Sequence, residues 1–160
     1  MSFLYFAYGS NMLTQRMHIN CPSALFKCIG ELKDFRLSST DFAHTWKGGV
    51  ATILESKNDS VCGVVWEISK DHEEKLDIQE KGYQPLILPI ETELFGKLDC
   101  KVYQKLVPKE EIDLVSYIYK KVCVQGAKEH GLPLQYIKKL EAIQDNNYKG
   151  PIEVPIKIDF

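Results

Sequence analysis

Two short segments, far apart in the chain, carry side chains whose types and spacing could do chemistry together. The first is Tyr5-Phe6-Ala7-Tyr8-Gly9-Ser10-Asn11-Met12. An alternating apolar run from Ser2 to Tyr8 stops at Gly-Ser-Asn, which reads as a strand delivering the chain to a tight turn. Gly9 permits the bend and the close approach of a ligand. The turn can therefore present backbone N–H groups and the Ser10 hydroxyl to a small anion such as a carboxylate. The second segment is Leu76-Asp77-Ile78-Gln79-Glu80-Lys81-Gly82-Tyr83. Asp77 and Glu80 share one face if this segment is helical. Glu80 then falls near the helix C-terminus, where the macrodipole and the neighbouring carboxylate both disfavour its charge. Both effects raise its pKa toward the range useful for general acid–base work. A solvated acidic helix face is the blander reading, since Glu73 and Glu74 precede it. Spacing alone leaves both open.

Other candidates carry less. Ser10 does not sit in a G-x-S-x-G elbow, because the last position is Met12. It reads as a binding residue or a plain turn serine. His18, His44, His72 and His130 lack metal-ligand spacing, and His72-Glu73-Glu74 lacks the second histidine of a zincin. Lys47-Gly48-Gly49-Val50 is not a phosphate loop. Its glycines fit a bend entering a strand, or close packing against the first turn. Tyr117 and Tyr119 are both candidates for a site, but they point different ways on a helix.

The elements that must position these groups are legible in outline. Strands are expected over Ser2 to Tyr8, Leu25 to Leu37, Gly49 to Leu54 and Val61 to Ile68, with Lys57-Asn58-Asp59-Ser60 as a hairpin loop. A short helix is expected around Thr14 to His18. Ser69 is a good N-cap for a helix running through Leu76 toward Lys81. Strands follow over Leu86 to Glu93 and Leu98 to Leu106, turned by Phe95-Gly96-Lys97. Two helices are expected in the last third. Ile112, Val115, Ile118 and Val122 mark one; Leu134, Ile137, Leu140 and Ile143 mark the other, with Pro133 at its first turn. Gly126 and Gly131 interrupt these patterns, and the tail from Asn146 reads as a loop with an edge strand. Strands first and helices later make an α+β pattern with a closed or nearly closed sheet. The 160 residues read as one domain, 1–160.

Composition sets the class of partner. The chain is 44% hydrophobic and 26% charged with a net charge of −2, and shows no basic stripe, so nucleic acid is not an expected partner. Apolar runs are too short to span a membrane, and no secretory signal pattern opens the sequence. Five scattered cysteines (Cys21, Cys28, Cys62, Cys100 and Cys123) form no C-x-x-C pair. That argues against a disulfide framework or a zinc site and favours a reducing, cytoplasmic compartment.

Taken in order, the segments resemble the γ-glutamylcyclotransferases. The resemblance rests on Tyr5-Phe6-Ala7-Tyr8-Gly9-Ser10-Asn11, Trp46-Lys47-Gly48-Gly49-Val50-Ala51-Thr52-Ile53, Gly63-Val64-Val65-Trp66, Leu76-Asp77-Ile78-Gln79-Glu80 and Gly126-Ala127-Lys128-Glu129-His130-Gly131-Leu132-Pro133. Their spread into the C-terminal third resembles the animal type. The resemblance implies a small mixed β-barrel flanked by helices. It also implies cofactor-independent, metal-free cyclisation of γ-glutamyl dipeptides to 5-oxoproline and a free amino acid. Glu80 inherits the acid/base role. Tyr5, Phe6, Ala7, Tyr8, Gly9 and Ser10 inherit substrate binding. Tyr119, ahead of Lys120-Lys121, inherits a substrate contact, which separates it from Tyr117. Dimers in the family make a homodimer an expectation. Glu80-Lys81-Gly82-Tyr83 is shorter than the glycine-containing insert of animal-type relatives, so no pocket role is assigned to Tyr83. Relatives acting on glutathione or on γ-glutamyl amines usually carry Y-G-S-L or Y-G-T-L, so Ser10-Asn11 points away from both. A non-catalytic binding protein on the same fold is the remaining alternative.

Overall fold

The architecture is that of a computed structural model, which describes residues 1–106 and 113–158. Five strands close into a barrel: β1 (Ser2–Ala7), β2 (Leu25–Ala43), β3 (Gly48–Ser69), β4 (Gln84–Thr92) and β5 (Gly96–Gln104). The order around the barrel is β1-β3-β2-β4-β5. Neighbours are antiparallel except at the closure, where β1 runs parallel to β5 with Tyr5 opposite Lys101. The sheet is therefore mixed and closed, a choice that strand patterning left open. Branched and aromatic side chains fill the interior, and Phe6, Ile53, Val64, Val65, Trp66 and Ile90 are fully buried.

The long β2–β3 pair departs from expectation at Lys57-Asn58-Asp59-Ser60. This segment is not a hairpin loop. Lys33 pairs with Ser60 and Phe35 with Glu55, so the chain bulges opposite Asp34 and continues in the same direction. Asp34 and Asn58 both take positive φ there, and the Asn58 N–H donates to Asp34 Oδ1 at 3.0 Å. Turn-forming residues thus mark a bulge, because the segments on both sides pair with one strand. The reversal lies instead between Ala43 and Gly48.

Among the described residues, four helices flank the barrel: α1 (Thr14–Met17), α2 (Glu73–Gln79), α3 (Tyr117–Glu129) and α4 (Leu134–Glu141). Ser69 caps a 3-10 turn, Lys70–His72, that leads into α2. Ser116 caps α3 by accepting from the Tyr119 N–H at 3.0 Å. Val115 lies before that cap and bridges Gly49 and Asp145, so it is not helical as its spacing implied. Ile112, from the same pattern, lies outside the described residues. Among the described residues, the tail after Asn146 contributes no strand. No described helix is long and apolar enough to cross a membrane.

Gly126 does not interrupt α3; it lies within it. A β-carbon there would sit 2.6 Å from both Leu13 N and Met12 C. The missing side chain lets α3 press on the backbone of the 3-10 turn Ser10–Met12. Gly131, with φ of 73°, is the residue that ends the helical run. Gly48 and Gly49 also permit close packing, but against the 113–116 backbone and not against the first turn. Gly126→Val should therefore wedge the helix from the turn. Overpacking of this kind costs about 1–3 kcal/mol, and each kcal/mol lowers the melting temperature by roughly 2–4 °C at this chain length. Thermal denaturation should show that loss; an unchanged midpoint would contradict the packing role.

Candidate functional site

The strand-to-turn junction after β1 and the C-terminal end of α2 meet at one cavity of about 230 Å³. β1 ends at Ala7 because Gly9 leaves the sheet and the chain winds into the turn Ser10–Met12. Tyr5, Tyr8, Gly9, Ser10 and Tyr119 all line the cavity with Glu80. Phe6 and Ala7 do not. Both are fully buried in the barrel, where Phe6 packs against Gly63 and Ala7 pairs with Val64. The strand's alternation explains Phe6, whose side chain points to the opposite face from Tyr5.

Asn11 is the centre of the polar network. Its Nδ2 donates to Glu80 Oε1 at 2.9 Å and to Tyr5 Oη at 3.0 Å. Both amide hydrogens are thus used. Its Oδ1 accepts from Gln79 Nε2 at 3.0 Å, and Gln79 Oε1 in turn accepts from Asn20 Nδ2 at 2.7 Å. Trp66 Nε1 donates to the Asn11 carbonyl at 3.0 Å, fixing the backbone under the amide. Glu80 caps α2 and is held through Oε1.

Burial raises the pKa of Glu80, against the lowering effects of Arg16 and of the hydrogen bonds from Asn11 and Gln79. The direction matches the sequence reading, but Asp77 has no part in it. Asp77 is turned toward the barrel wall, where it accepts from Tyr103 Oη at 2.5 Å and pairs with Lys101 at 2.7 Å. Burial pushes the Asp77 carboxyl up, and the Lys101 and Tyr103 hydrogen bonds outweigh that and hold it below its ordinary value. Lys101 also pairs with Glu73 at 2.9 Å. Two turns of α2 are thereby pinned to β5, which sets where Glu80 can reach.

The opposite wall is built on Ala51 of β3. The Ala51 N–H donates to Tyr119 Oη at 3.0 Å, and the Ala51 carbonyl accepts from Tyr83 Oη at 2.7 Å. Since Tyr119 accepts there, its own hydroxyl proton is left to donate, and the Cys123 sulfur lies within its reach. Tyr117, by contrast, does not line the cavity. A β-carbon on Gly9 would lie 2.9 Å from Tyr119 Oη, so only glycine keeps this space open. Tyr83, to which the compressed loop gave no pocket role, lines the cavity too. Asn11, Arg16 and Tyr83 are the residues that motif reading left without a role. The signal for Asn11 was its place beside Ser10 in the turn; Arg16 and Tyr83 gave none.

The four histidines lie elsewhere: among them, His72 Nδ1 is 2.7 Å from Ser23 Oγ, and His130 stacks on Phe26. Among the described residues no cluster of His, Cys, Asp and Glu could hold a metal ion, and all five cysteines are free and buried. The cavity is lined by a buried carboxyl, tyrosine hydroxyls, the Gly9-Ser10 turn and a guanidinium. That set can bind a small zwitterion or dianion and move protons on it.

The profile of the AIG2-like family matches residues 60–140. Bovine γ-glutamylcyclotransferase is 45% identical over 167 aligned positions, covering 98% of this chain and 86% of its own length. The human γ-glutamylcyclotransferase is 44% identical, with the same coverage. The solved structure of a γ-glutamyl cyclotransferase superposes with a TM-score of 0.89 at 42% identity, covering 95% of this chain and 94% of that one.

The raised pKa of Glu80 has consequences that can be measured. A carboxyl whose folded pKa lies above its unfolded value stabilises the fold while protonated, and that contribution is lost as pH rises through the folded pKa. Glu80→Gln should therefore raise the melting temperature at pH 7–8, and the gain should vanish below about pH 4, where an unperturbed glutamate is itself protonated. Asn11→Ala removes a bond that favours the carboxylate, so the carbon-13 titration midpoint of Glu80 should move upward. A midpoint that stays or falls would contradict the assignment of Asn11.

Proposed function

The chain belongs to the AIG2-like family and to the γ-glutamylcyclotransferases, and from that premise we propose how its residues perform the cyclisation. It is an enzyme that converts γ-glutamyl dipeptides to 5-oxoproline and a free amino acid. The observation that carries the mechanism is the Glu80 carboxyl, held by Asn11 at the same cavity as the Gly9-Ser10 turn.

The substrate's α-amine attacks its own γ-carbonyl. A C–N bond forms to close the five-membered lactam, and the amide C–N bond to the leaving amino acid breaks. An ammonium group cannot attack, so the α-nitrogen first loses a proton. It loses a second as the lactam forms, and the departing nitrogen gains two. Glu80 as carboxylate receives these protons and returns them to the leaving nitrogen, so the enzyme ends as it began. An ordinary glutamate is a weak base toward an α-amine, which titrates near pH 7.7–8.0. The raised pKa of Glu80 narrows that gap.

Tyr5 supports Glu80 through Asn11, and Tyr8 braces the wall by donating to the Tyr103 carbonyl. The Gly9-Ser10 turn and the Tyr119 hydroxyl supply donors for the γ-glutamyl group and for the developing oxyanion. Folding the γ-glutamyl chain into a reactive shape is the other half of catalysis, since well-oriented intramolecular attack contributes about 7–11 kcal/mol. Phe6 and Ala7 act through the strand that carries the tyrosines.

Contacts from the strand-rich part and from α3 converge on this cavity, which supports a single catalytic domain over 1–160. Five free buried thiols support a reducing, cytoplasmic setting. A homodimer rests on the family likeness alone and is testable by light scattering. Glu80→Gln should fold and bind substrate, yet release 5-oxoproline from γ-glutamyl-alanine about 10²–10⁴-fold more slowly. Turnover within a few-fold of the unmodified enzyme would remove Glu80 from the mechanism.

A further inference from the structure

Arg16 is the charged group at the cavity that the cyclisation chemistry leaves without a task. It projects from α1 and lines the cavity alongside Glu80, Trp46 and Tyr119. Its guanidinium carbon lies 5.7 Å from the centre of the Trp46 ring, and Trp46 is itself buried edge-on against Tyr119. Among the described residues its Nε is buried without a hydrogen-bond partner, and none of the ion pairs includes it. A buried guanidinium N–H left this way is costly unless an acceptor completes it. Glu80 lies near enough to interact electrostatically, but it spends Oε1 on Asn11 and forms no ion pair with Arg16.

Two lysines also line the cavity. Lys105 is 3.7 Å from Asp41, and Lys81 is exposed. Lys105 lies over the Tyr83 ring at 5.8 Å but already has Asp41 as a counter-ion, and among the described residues neither lysine carries a buried donor without a partner as Arg16 does. The arginine fork matches a carboxylate in shape, and an aromatic face holds its plane in register.

We propose that Arg16 binds the carboxylate of the departing amino acid and so selects γ-glutamyl-amino acids over γ-glutamyl amines. The inference rests on the cyclotransferase reading. A γ-glutamyl dipeptide carries two carboxylates. The one on the γ-glutamyl α-carbon sits beside the attacking amine, with the Gly9-Ser10 turn to receive it. The other lies one carbon beyond the leaving nitrogen. Glu80 must reach that nitrogen to protonate it, and a cation close to Glu80 is therefore within reach of the second carboxylate. A γ-glutamyl amine has no carboxylate to offer Arg16 and would leave its buried Nε–H unpaired.

The test compares γ-glutamyl-alanine with γ-glutamyl-alaninamide, which differ only in that second carboxylate. 5-Oxoproline release is followed for the unmodified enzyme, Arg16→Met and Arg16→Lys. The unmodified enzyme should favour γ-glutamyl-alanine in kcat/KM by about 10–100-fold, the range for a charge-assisted hydrogen bond. Arg16→Met should bring that ratio close to one, mainly through KM, and Arg16→Lys should restore part of it. Any effect of Arg16 on folding or on the charge of Glu80 falls on both substrates and cancels in the ratio. A ratio unchanged by Arg16→Met, with both substrates slowed alike, would overturn the assignment while leaving the cyclotransferase reading intact. Absence of 5-oxoproline from both substrates with the unmodified enzyme would overturn that reading, and this inference with it.

Discussion

The hydrogen bond from the Asn11 amide to the Glu80 carboxyl is the contact on which the site depends. With the Gln79–Asn11 bond beside it, it joins two segments far apart in the chain, the turn after β1 and the end of α2. It also sets an electrostatic balance. Burial disfavours the Glu80 carboxylate and so strengthens it as a base. Hydrogen bonds donated by Asn11 and Gln79 and the nearby Arg16 guanidinium work against that shift. Tyr5 and Gln79 complete the hydrogen bonding of Asn11, so the amide can neither swing nor turn over without losing three partners.

The rest of the fold reads as support for that contact. Trp66, in register with Tyr5 across β1 and β3, holds the Asn11 carbonyl. Gly126 lets α3 lie directly on the same turn. Lys101 ties Glu73 and Asp77 of α2 to β5, the strand that closes the barrel against β1. A closed barrel matters here because it fixes β1, β3 and β5 together. An open sheet could shear at the β1 edge and carry Asn11 away from Glu80.

Much of this was legible in the sequence, and the gaps have physical causes. The strand ending at Gly9, the helix started by Ser69 and the position of Glu80 at its end are local patterns, and local patterns survive folding. The reason for the raised pKa was misread. Asp77 is three residues from Glu80, but helix spacing could not show Lys101 waiting on a distant strand. Lys57 to Ser60 carries turn residues, yet a bulge and a hairpin use the same residues, and only pairing to β2 separates them. Asn11 stood in view as part of a motif, but its role exists only across the gap to α2. Arg16 belongs to no motif, and Tyr83 closes a segment whose shortened loop hid its place; both reach the cavity through tertiary packing.

The pH dependence of kcat/KM for 5-oxoproline release from γ-glutamyl-alanine, in the unmodified enzyme and in Asn11→Asp, tests the central claim most directly. Replacing the amide by a carboxylate removes the donated bond and sets a like charge against Glu80. Both changes disfavour the Glu80 carboxylate. The account predicts that the acidic limb of the profile follows the titration of Glu80 and moves to higher pH in Asn11→Asp. An acidic limb at the same pH in both proteins would show that Glu80, held by Asn11, is not the group that takes the proton.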